Sequence, residues 1–583
     1  MTRHRIAPFA LFAAPFLMAS AAHIPLAHAQ SAATAPATAA ETSQHFAGTI
    51  SSAHPLATQA GQEILAKGGS AADAAMAMML VLTVVEPQSS GIGGGSFLLH
   101  HDGKTGLLET IDGRETAPAS ASPSLFLTPD GQPMPFGEAV PGGKSVGVPA
   151  NIAVMKRVHD KWGKLPWADL FLPAIAIARD GFPVSRTLAA ALKRAEPLWR
   201  ESFPEARALY WVNDAPASEG TIIRNPALAD FMQKMAAQGP DAFYKGQGAA
   251  AIEQSVGQSS RNPTQLTAQD LAAYQAKERP PICSPYREYR ICSMGPPSSG
   301  AIAIAQILGM IERFDMKKLG KDNPVSWHLI GEAMQLAYAD RGKYLGDRDF
   351  VTVPIAGLID PAYLRHRSAL ISPTKTRKSY EPGTPPGAEP RTATPARETP
   401  GTTHFVAIDG DGDIVSMTST VEGPFGSQLL VNGYFLNNEL TDFDFVPEKN
   451  GAPVANRVEP GKRPRSSMSP TIVYDAQNKP VFVVGAAGGA TIIMQITKAL
   501  IAHLDWGLSA KDSLGTGLVF FNKDGLVIEK DSNITAMQAG LEKLGHKVST
   551  STLPLKANAA ERLTDGTWRG AADPRSIGLA LPN

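Results

Sequence analysis

Residues 70–87, SAADAAMAMMLVLTVVEP, constrain this chain more than any other stretch. Ala, Met, Leu and Val fall on nearly every face of a helix drawn through them, so no side can be left to water. The run ends at Pro87 and is too short for a membrane span, which needs about 20 apolar residues. It has to be a core helix, covered on all sides by other parts of the same protein.

The surrounding sequence supplies the cover. PLATQAGQEILAKGG, just before, reads as a helix stopped by Gly-Gly, and further helices are expected around 150–200, 225–245, 300–313 and 325–341. SFLLHHD and GLLETIDGRETAP read as strands. Beyond Thr402, THFVAID and IVSMTSTV flank a GDGD turn, and GYFLNNELTDF, SPTIVYDA and PVFVVGAAGG add strands before the helix TIIMQITKALIAHLDW. Strands beside long apolar helices in both halves predict an α+β protein, with helix layers over sheet in an αββα arrangement.

Composition removes several function classes. Lys+Arg and Asp+Glu are both 54, so the formal net charge is zero, whereas a nucleic-acid binder needs a basic surplus to neutralise phosphates. The glycines at 91, 93, 94 and 95 lack the preceding strand, the GK[ST] ending and the GxGxxG spacing of a phosphate loop, and read as a close backbone turn. Asp409, Asp411 and Asp413 mimic a calcium loop, but Ile414 and Thr420 stand where its glycine and bidentate glutamate belong.

Residues 1–29 have the form of a cleaved export signal: Arg3 and Arg5, an apolar middle, and Ala27-His28-Ala29 before Gln30. The mature chain is expected to be exported, periplasmic in a Gram-negative source. The only cysteines, Cys283 and Cys292, lie in PPICSPYREYRICSMGPP. A hairpin with Arg287-Glu288 at its tip pairs Tyr286 with Tyr289 and Cys283 with Cys292, at a position where facing Cα atoms come closest. An oxidising compartment permits a disulfide there; two separate buried thiols are the alternative.

The segment 373–401 is rich in Pro and carries no periodic apolar pattern, which predicts a flexible, protease-sensitive linker. It ends abruptly at Thr402-Thr403, where strand begins. A threonine hydroxyl within a chain is a poor nucleophile. If the chain is cut just before Thr402, the new α-amine, titrating near about 8, becomes a base on the same residue.

Five motifs sharpen this reading. TTHF, TSTVEGPFGS, FLNNELTDF, KRPRSSMSPTIV and GAAGGA, in that order, resemble the small subunit of γ-glutamyltransferases. EPQSSGIGGGSF, DGRETAP, GVPANIAVM, AIAIARDGFPVS and GPPSSG resemble the large subunit, and the likeness runs from about residue 46 to AADPRS near the end. The resemblance implies the four-layer αββα N-terminal-nucleophile hydrolase fold, formed jointly by two subunits cut from one precursor. The parts would be a signal peptide (1–29), a large subunit (30–401) and a small catalytic subunit (402–583), with the scissile bond at Gly401–Thr402.

Residue by residue, Thr402 resembles the nucleophile, Thr420 the hydroxyl that orients it, and Gly488 and Gly489 the oxyanion hole. Arg114, Ser466 and Ser467 resemble the grip on the substrate α-carboxylate, and Glu439 and Asp442 the acceptors of its α-ammonium. Glu422 stands where many relatives carry Asn and is expected to add a carboxylate for the ammonium. The stretch 444–465 is short and has no Tyr or Trp to cap the pocket, and AAGGAT lacks the Ser and Arg that often flank the glycine pair.

The implied activity is attack of Thr402 on the γ-amide of glutathione or another γ-glutamyl donor, followed by transfer to water, an amino acid or a peptide, with no cofactor or metal. A glutaryl-type cephalosporin acylase is the related alternative. An uncleaved, non-catalytic exported binding protein is the alternative of another class.

Overall fold

The structure, a computed structural model, describes residues 46–394, 398–522 and 524–583; the expected signal peptide lies outside the described residues. Thirteen strands form the two large sheets. In chain order they are β1 (Thr49–Ser52), β2 (Gly95–His101), β3 (Leu108–Gly113), β4 (Lys277–Arg279), β5 (Ile282–Tyr286), β6 (Tyr289–Ser293) and β7 (Thr402–Ile408). They continue as β8 (Ile414–Thr420), β9 (Thr471–Tyr474), β10 (Pro480–Ala487), β11 (Lys556–Arg562), β12 (Trp568–Ala572) and β13 (Leu579–Leu581). The covering helices are α1 (Pro55–Ala66), α2 (Ala71–Val85), α3 (Gly300–Ile311), α4 (Pro324–Tyr344) and α5 (Ile492–Leu504).

One sheet has the order β13-β1-β7-β8-β2-β3-β4 and the other β12-β11-β10-β9-β6-β5. The first packs on the second through β7, β8 and β1. Its outer face is covered by α1 and α2, and the outer face of the second by α3 and α5, with α4 behind α3. This is the αββα layering that the strand and helix pattern predicts. β1, from before residue 401, is hydrogen-bonded between β7 and β13, both from after it, so neither half of the chain completes the sheet alone.

The central strands are buried on both faces. Along β7, Phe405 and Ala407 enter the core shared with α2, while Val406 and Ile408 enter the core between the sheets and towards α5. This explains why the strand reads as nearly continuous apolar sequence. Every residue of α2 is buried, and Ser70 and Asp73 close a capping box at its start. Truncating a residue such as Leu82 to Ala would cost about 2–5 kcal/mol.

The glycine run 93–95 is a place of close backbone approach. A Cβ on Gly94 would lie 1.9 Å from the Thr420 carbonyl oxygen, and one on Gly93 2.1 Å from that of Phe435. The β5–β6 hairpin has the expected register, Tyr286 opposite Tyr289 and Cys283 opposite Cys292, and the two sulfurs are joined.

One expected strand is not formed. Of GYFLNNELTDF only Tyr434–Phe435 is extended, and Glu439–Asp442 is a 3₁₀ turn. The two asparagines account for it. Asn437 donates to the Gly93 and Gly147 carbonyls (2.8 and 2.9 Å) and accepts from the Glu439 N–H (3.0 Å), and Asn438 accepts from Gly423 N–H (2.8 Å). Side chains bonded to backbone in this way displace ladder pairing.

Residues 373–394 form no helix or strand. They are tied down by Thr376 N–H to Leu544 O (2.7 Å), Gly383 N–H to Asp340 Oδ1 (2.7 Å) and Thr394 N–H to Gly342 O (3.1 Å).

Candidate active site

Thr402 opens β7 opposite Thr420, the last residue of β8, and its side chain is nearly buried. Thr420 Oγ1 donates to the Gly401 carbonyl (2.7 Å) and accepts from the Glu422 N–H (2.8 Å). With its own proton committed to Gly401, Thr420 can only accept from the Thr402 hydroxyl, 3.3 Å away. One hydroxyl thus orients Thr402 and polarises the carbonyl of the bond immediately before it.

A pocket beside Thr402 is lined by Arg114, Thr420, Glu422, Glu439, Asp442, Ser466, Ser467 and Gly489. Arg114, at the end of β3, is 1% exposed. Its guanidinium bonds Glu439 on one prong and Asp442 on the other (2.5 Å), and donates to the Pro464 and Arg465 carbonyls (3.1 and 3.0 Å). Ser466 Oγ accepts from Met468 N–H (3.1 Å) and Ser467 Oγ from Arg341 (3.0 Å), which leaves both hydroxyl protons for another acceptor. Glu422 accepts from the Thr399 N–H (2.7 Å) and from Asn438 (2.5 Å).

The charge balance of this pocket is uneven. Three buried carboxylates, Glu115, Glu439 and Asp442, lie within 4 Å of the Arg114 guanidinium, and a fourth, Glu422, lines the same pocket. Burial pushes the Glu115 carboxyl up to about 7, against the pull of Arg114. Burial also raises Glu422, Glu439 and Asp442 well above the usual carboxylate range, and repulsion among them adds to it.

Gly488 and Gly489 turn from β10 towards α5 with φ of 132° and 58°, values that favour glycine. A Cβ on Gly489 would lie 2.9 Å from the carbonyl oxygen of Thr399. The uncut chain itself therefore lies against this turn. Glu398, the residue before Thr399, is ion-paired with buried Arg341 of α4. With Glu398 and Thr399 in place the pocket retains a volume of only about 20 Å³. On the other side of Thr402 a cavity of about 730 Å³ opens between Gly401, Gly488, Glu86, Arg194 and Lys556.

All the residues singled out from the sequence, other than the two cysteines, thus meet around Thr402. Glu115, Arg341, Asn438 and Glu398 were not singled out. Glu115 lies within GRETAP, and Arg341 betrays itself only as a charge on a buried face of a helix.

Residues 57–582 match the sequence model of the family described as gamma-glutamyltranspeptidase. The chain belongs to that family. A glutathione hydrolase proenzyme of Bacillus subtilis is 36% identical over 547 residues, 92% of this chain and 91% of that protein. Among solved structures, a cephalosporin acylase from Bacillus halodurans superposes with a TM-score of 0.80 at 26% identity, covering 94% of this chain and 98% of that one. A gamma-glutamyltranspeptidase of Helicobacter pylori is 35% identical, with a TM-score of 0.55 over 58% of this chain and 95% of its own. The γ-glutamyltranspeptidase family thus accounts for both the motif order and the four-layer fold. Among the described residues no helix is long and apolar enough to cross a membrane.

Proposed function

We propose that this member of the family is a γ-glutamyltransferase and glutathione hydrolase, made as an exported precursor that cuts itself between Gly401 and Thr402. In the uncut chain Thr402 Oγ1 attacks the Gly401 carbonyl carbon, and the oxygen that becomes negative is the one Thr420 already bonds. The C–N bond breaks to leave an ester, and water hydrolyses it to a Gly401 carboxylate and a free Thr402 amine. Glu398 and Thr399 must then vacate the pocket for a donor to enter, because with them in place only about 20 Å³ is free, too little for a γ-glutamyl group. The large subunit (30–401) and the small subunit (402–583) stay together as a heterodimer through their shared sheet.

In the processed enzyme the Thr402 amine takes the hydroxyl proton as Oγ1 attacks the γ-amide carbonyl. Charge develops on the carbonyl oxygen and is met by the backbone at Gly488 and Gly489, where each donor is worth about 3 kcal/mol. The amine half of the donor leaves with that proton, and the γ-glutamyl ester is passed to water or to the amine of an amino acid or peptide. The entering and leaving amines use the larger cavity, since the glutamyl group fills the smaller one.

The observation that carries the substrate reading is the pairing of one guanidinium with surplus carboxylates. The α-carboxylate of a γ-glutamyl group takes both prongs of Arg114 and the hydroxyls of Ser466 and Ser467. Its α-ammonium takes Glu439 and Asp442, which Arg114 has released, and Glu422, which Thr399 has left. The zwitterionic head group adds no net charge to the site. A glutaryl chain brings the carboxylate without the ammonium and would leave those carboxylates facing each other, which favours γ-glutamyl over the acylase reading. Comparing kcat/KM on γ-glutamyl- and glutaryl-p-nitroanilide tests this; preference for the glutaryl compound would overturn it.

A further inference from the structure

His328 and Glu332 lie one turn apart on α4 and are both fully buried. His546, also buried, reaches them from the small-subunit side, and one ligand atom from each of the three lies within 4.8 Å of the others. None of the three lines either cavity at Thr402.

Two features set this cluster apart from an ordinary buried hydrogen-bond network. Glu332 accepts from Thr376 Oγ1 (2.7 Å), the Tyr380 hydroxyl (2.5 Å) and the Arg377 N–H (3.3 Å). Among the described residues, however, no Lys, Arg or His side-chain nitrogen lies within 4.0 Å of it, whereas buried Asp112, Asp340, Glu439 and Asp442 each face a guanidinium. A carboxylate removed from water is costly unless it meets a cation, a metal or a proton, and two imidazoles within reach make a metal available to this one. The second feature is the orientation of His328. Its Nε2 faces the Ser372 carbonyl at 2.7 Å and must donate there, which turns the lone pair of Nδ1 towards His546 Nε2, also 2.7 Å away. A carbonyl holding the far nitrogen is how metal-ligating histidines are fixed.

We propose that His328 Nδ1, His546 Nε2 and one carboxylate oxygen of Glu332 bind a single zinc-class divalent ion that staples the large subunit to the small one. The donor set of two imidazoles and a carboxylate suits zinc and not calcium or magnesium, which prefer all-oxygen shells. Binding moves the shared proton of His546 from Nε2 to Nδ1 and opens the nitrogen pair to about 3.3 Å, the separation set by tetrahedral bonds of about 2.05 Å. Glu332 closes in, and water takes the fourth position. Because His328 and Glu332 precede residue 401 and His546 follows it, the ion ties together two polypeptides that cleavage has separated.

The test uses the processed two-chain protein. It is stripped with EDTA, incubated with zinc sulfate, desalted and analysed for zinc by plasma mass spectrometry and for melting temperature. One zinc per heterodimer and a raised melting temperature are expected. His546→Gln and Glu332→Gln should each weaken retention by more than about 100-fold, beyond what outer partners of a metal site typically contribute, and abolish the melting shift while KM for γ-glutamyl-p-nitroanilide is unchanged. Should a variant fail to fold, the wild-type stoichiometry and its X-ray absorption spectrum, with a mixed nitrogen and oxygen shell, still decide. Wild-type protein that keeps no stoichiometric zinc, or variants that keep as much as wild type, would overturn the proposal.

Discussion

Replacing Thr420 with Val removes one oxygen while keeping the β-branched shape that β8 packs. Three contacts go with it: the donor to the Gly401 carbonyl at 2.7 Å, the acceptor for the Glu422 N–H at 2.8 Å, and the partner of the Thr402 hydroxyl at 3.3 Å. The first matters for the rate of self-cleavage, because it sits on the oxygen that becomes negative. Losing one such donor costs about 2.7–4 kcal/mol, or about 10²–10³ in rate. The second matters for stability, since a buried N–H left without an acceptor costs about 1–3 kcal/mol. Freshly purified protein would be incubated and the full-length band followed on denaturing gels, with circular dichroism to verify folding. The half-time of cleavage should lengthen by about 100- to 1000-fold, and Thr420→Ser should restore it. A folded Thr420→Val protein that cleaves at the wild-type rate would refute the assignment of Thr420 to the scissile carbonyl.

Thr402→Ala should remain a single uncut chain without turnover, and amino-terminal sequencing of any smaller fragment from wild type should begin at residue 402. Arg114→Lys loses one prong of a charged contact worth about 1.5–3 kcal/mol, so KM for the γ-glutamyl donor should rise by about 10- to 150-fold with little change in kcat. Asp442→Asn should lower kcat/KM on γ-glutamyl-p-nitroanilide more than on its glutaryl counterpart. Glu115 is raised to about 7 in the folded protein, so its folded form holds a proton that the unfolded chain has released. Its contribution to stability is present below about pH 4.5 and is lost as pH rises through about 7. Thermal melts of Glu115→Gln should therefore show a smaller loss of stability between those two values than wild type.

Much of the architecture is local and was readable in advance. The apolar run 70–85 becomes a helix with every residue buried, and FVAI alternates between two cores because strand geometry demands a period of two. The tip at Arg287-Glu288 sets the β5–β6 register, and that register alone brings Cys283 to Cys292. Thr402 could be recognised as the first residue of a strand after a segment with nothing to bury. In contrast, NNELTDF reads as strand, and contacts of its asparagines to Gly93 and Gly147, hundreds of residues away, and to Gly423 help fold it into the turn that carries Glu439 and Asp442 to Arg114.

Sequence alone determined the helices and strands that form the layers and the place where the Pro-rich segment gives way to a strand at Thr402, because each depends on neighbours a few positions apart. The site residues were legible only through the resemblance of ordered motifs to a known family. Tertiary structure decided which carboxylates share one arginine, that Glu398 and Thr399 fill the pocket of the uncut chain, and that His546 meets His328. Those outcomes depend on desolvation and on pairings across the two halves of the chain, and a charge's behaviour is set by what surrounds it in space.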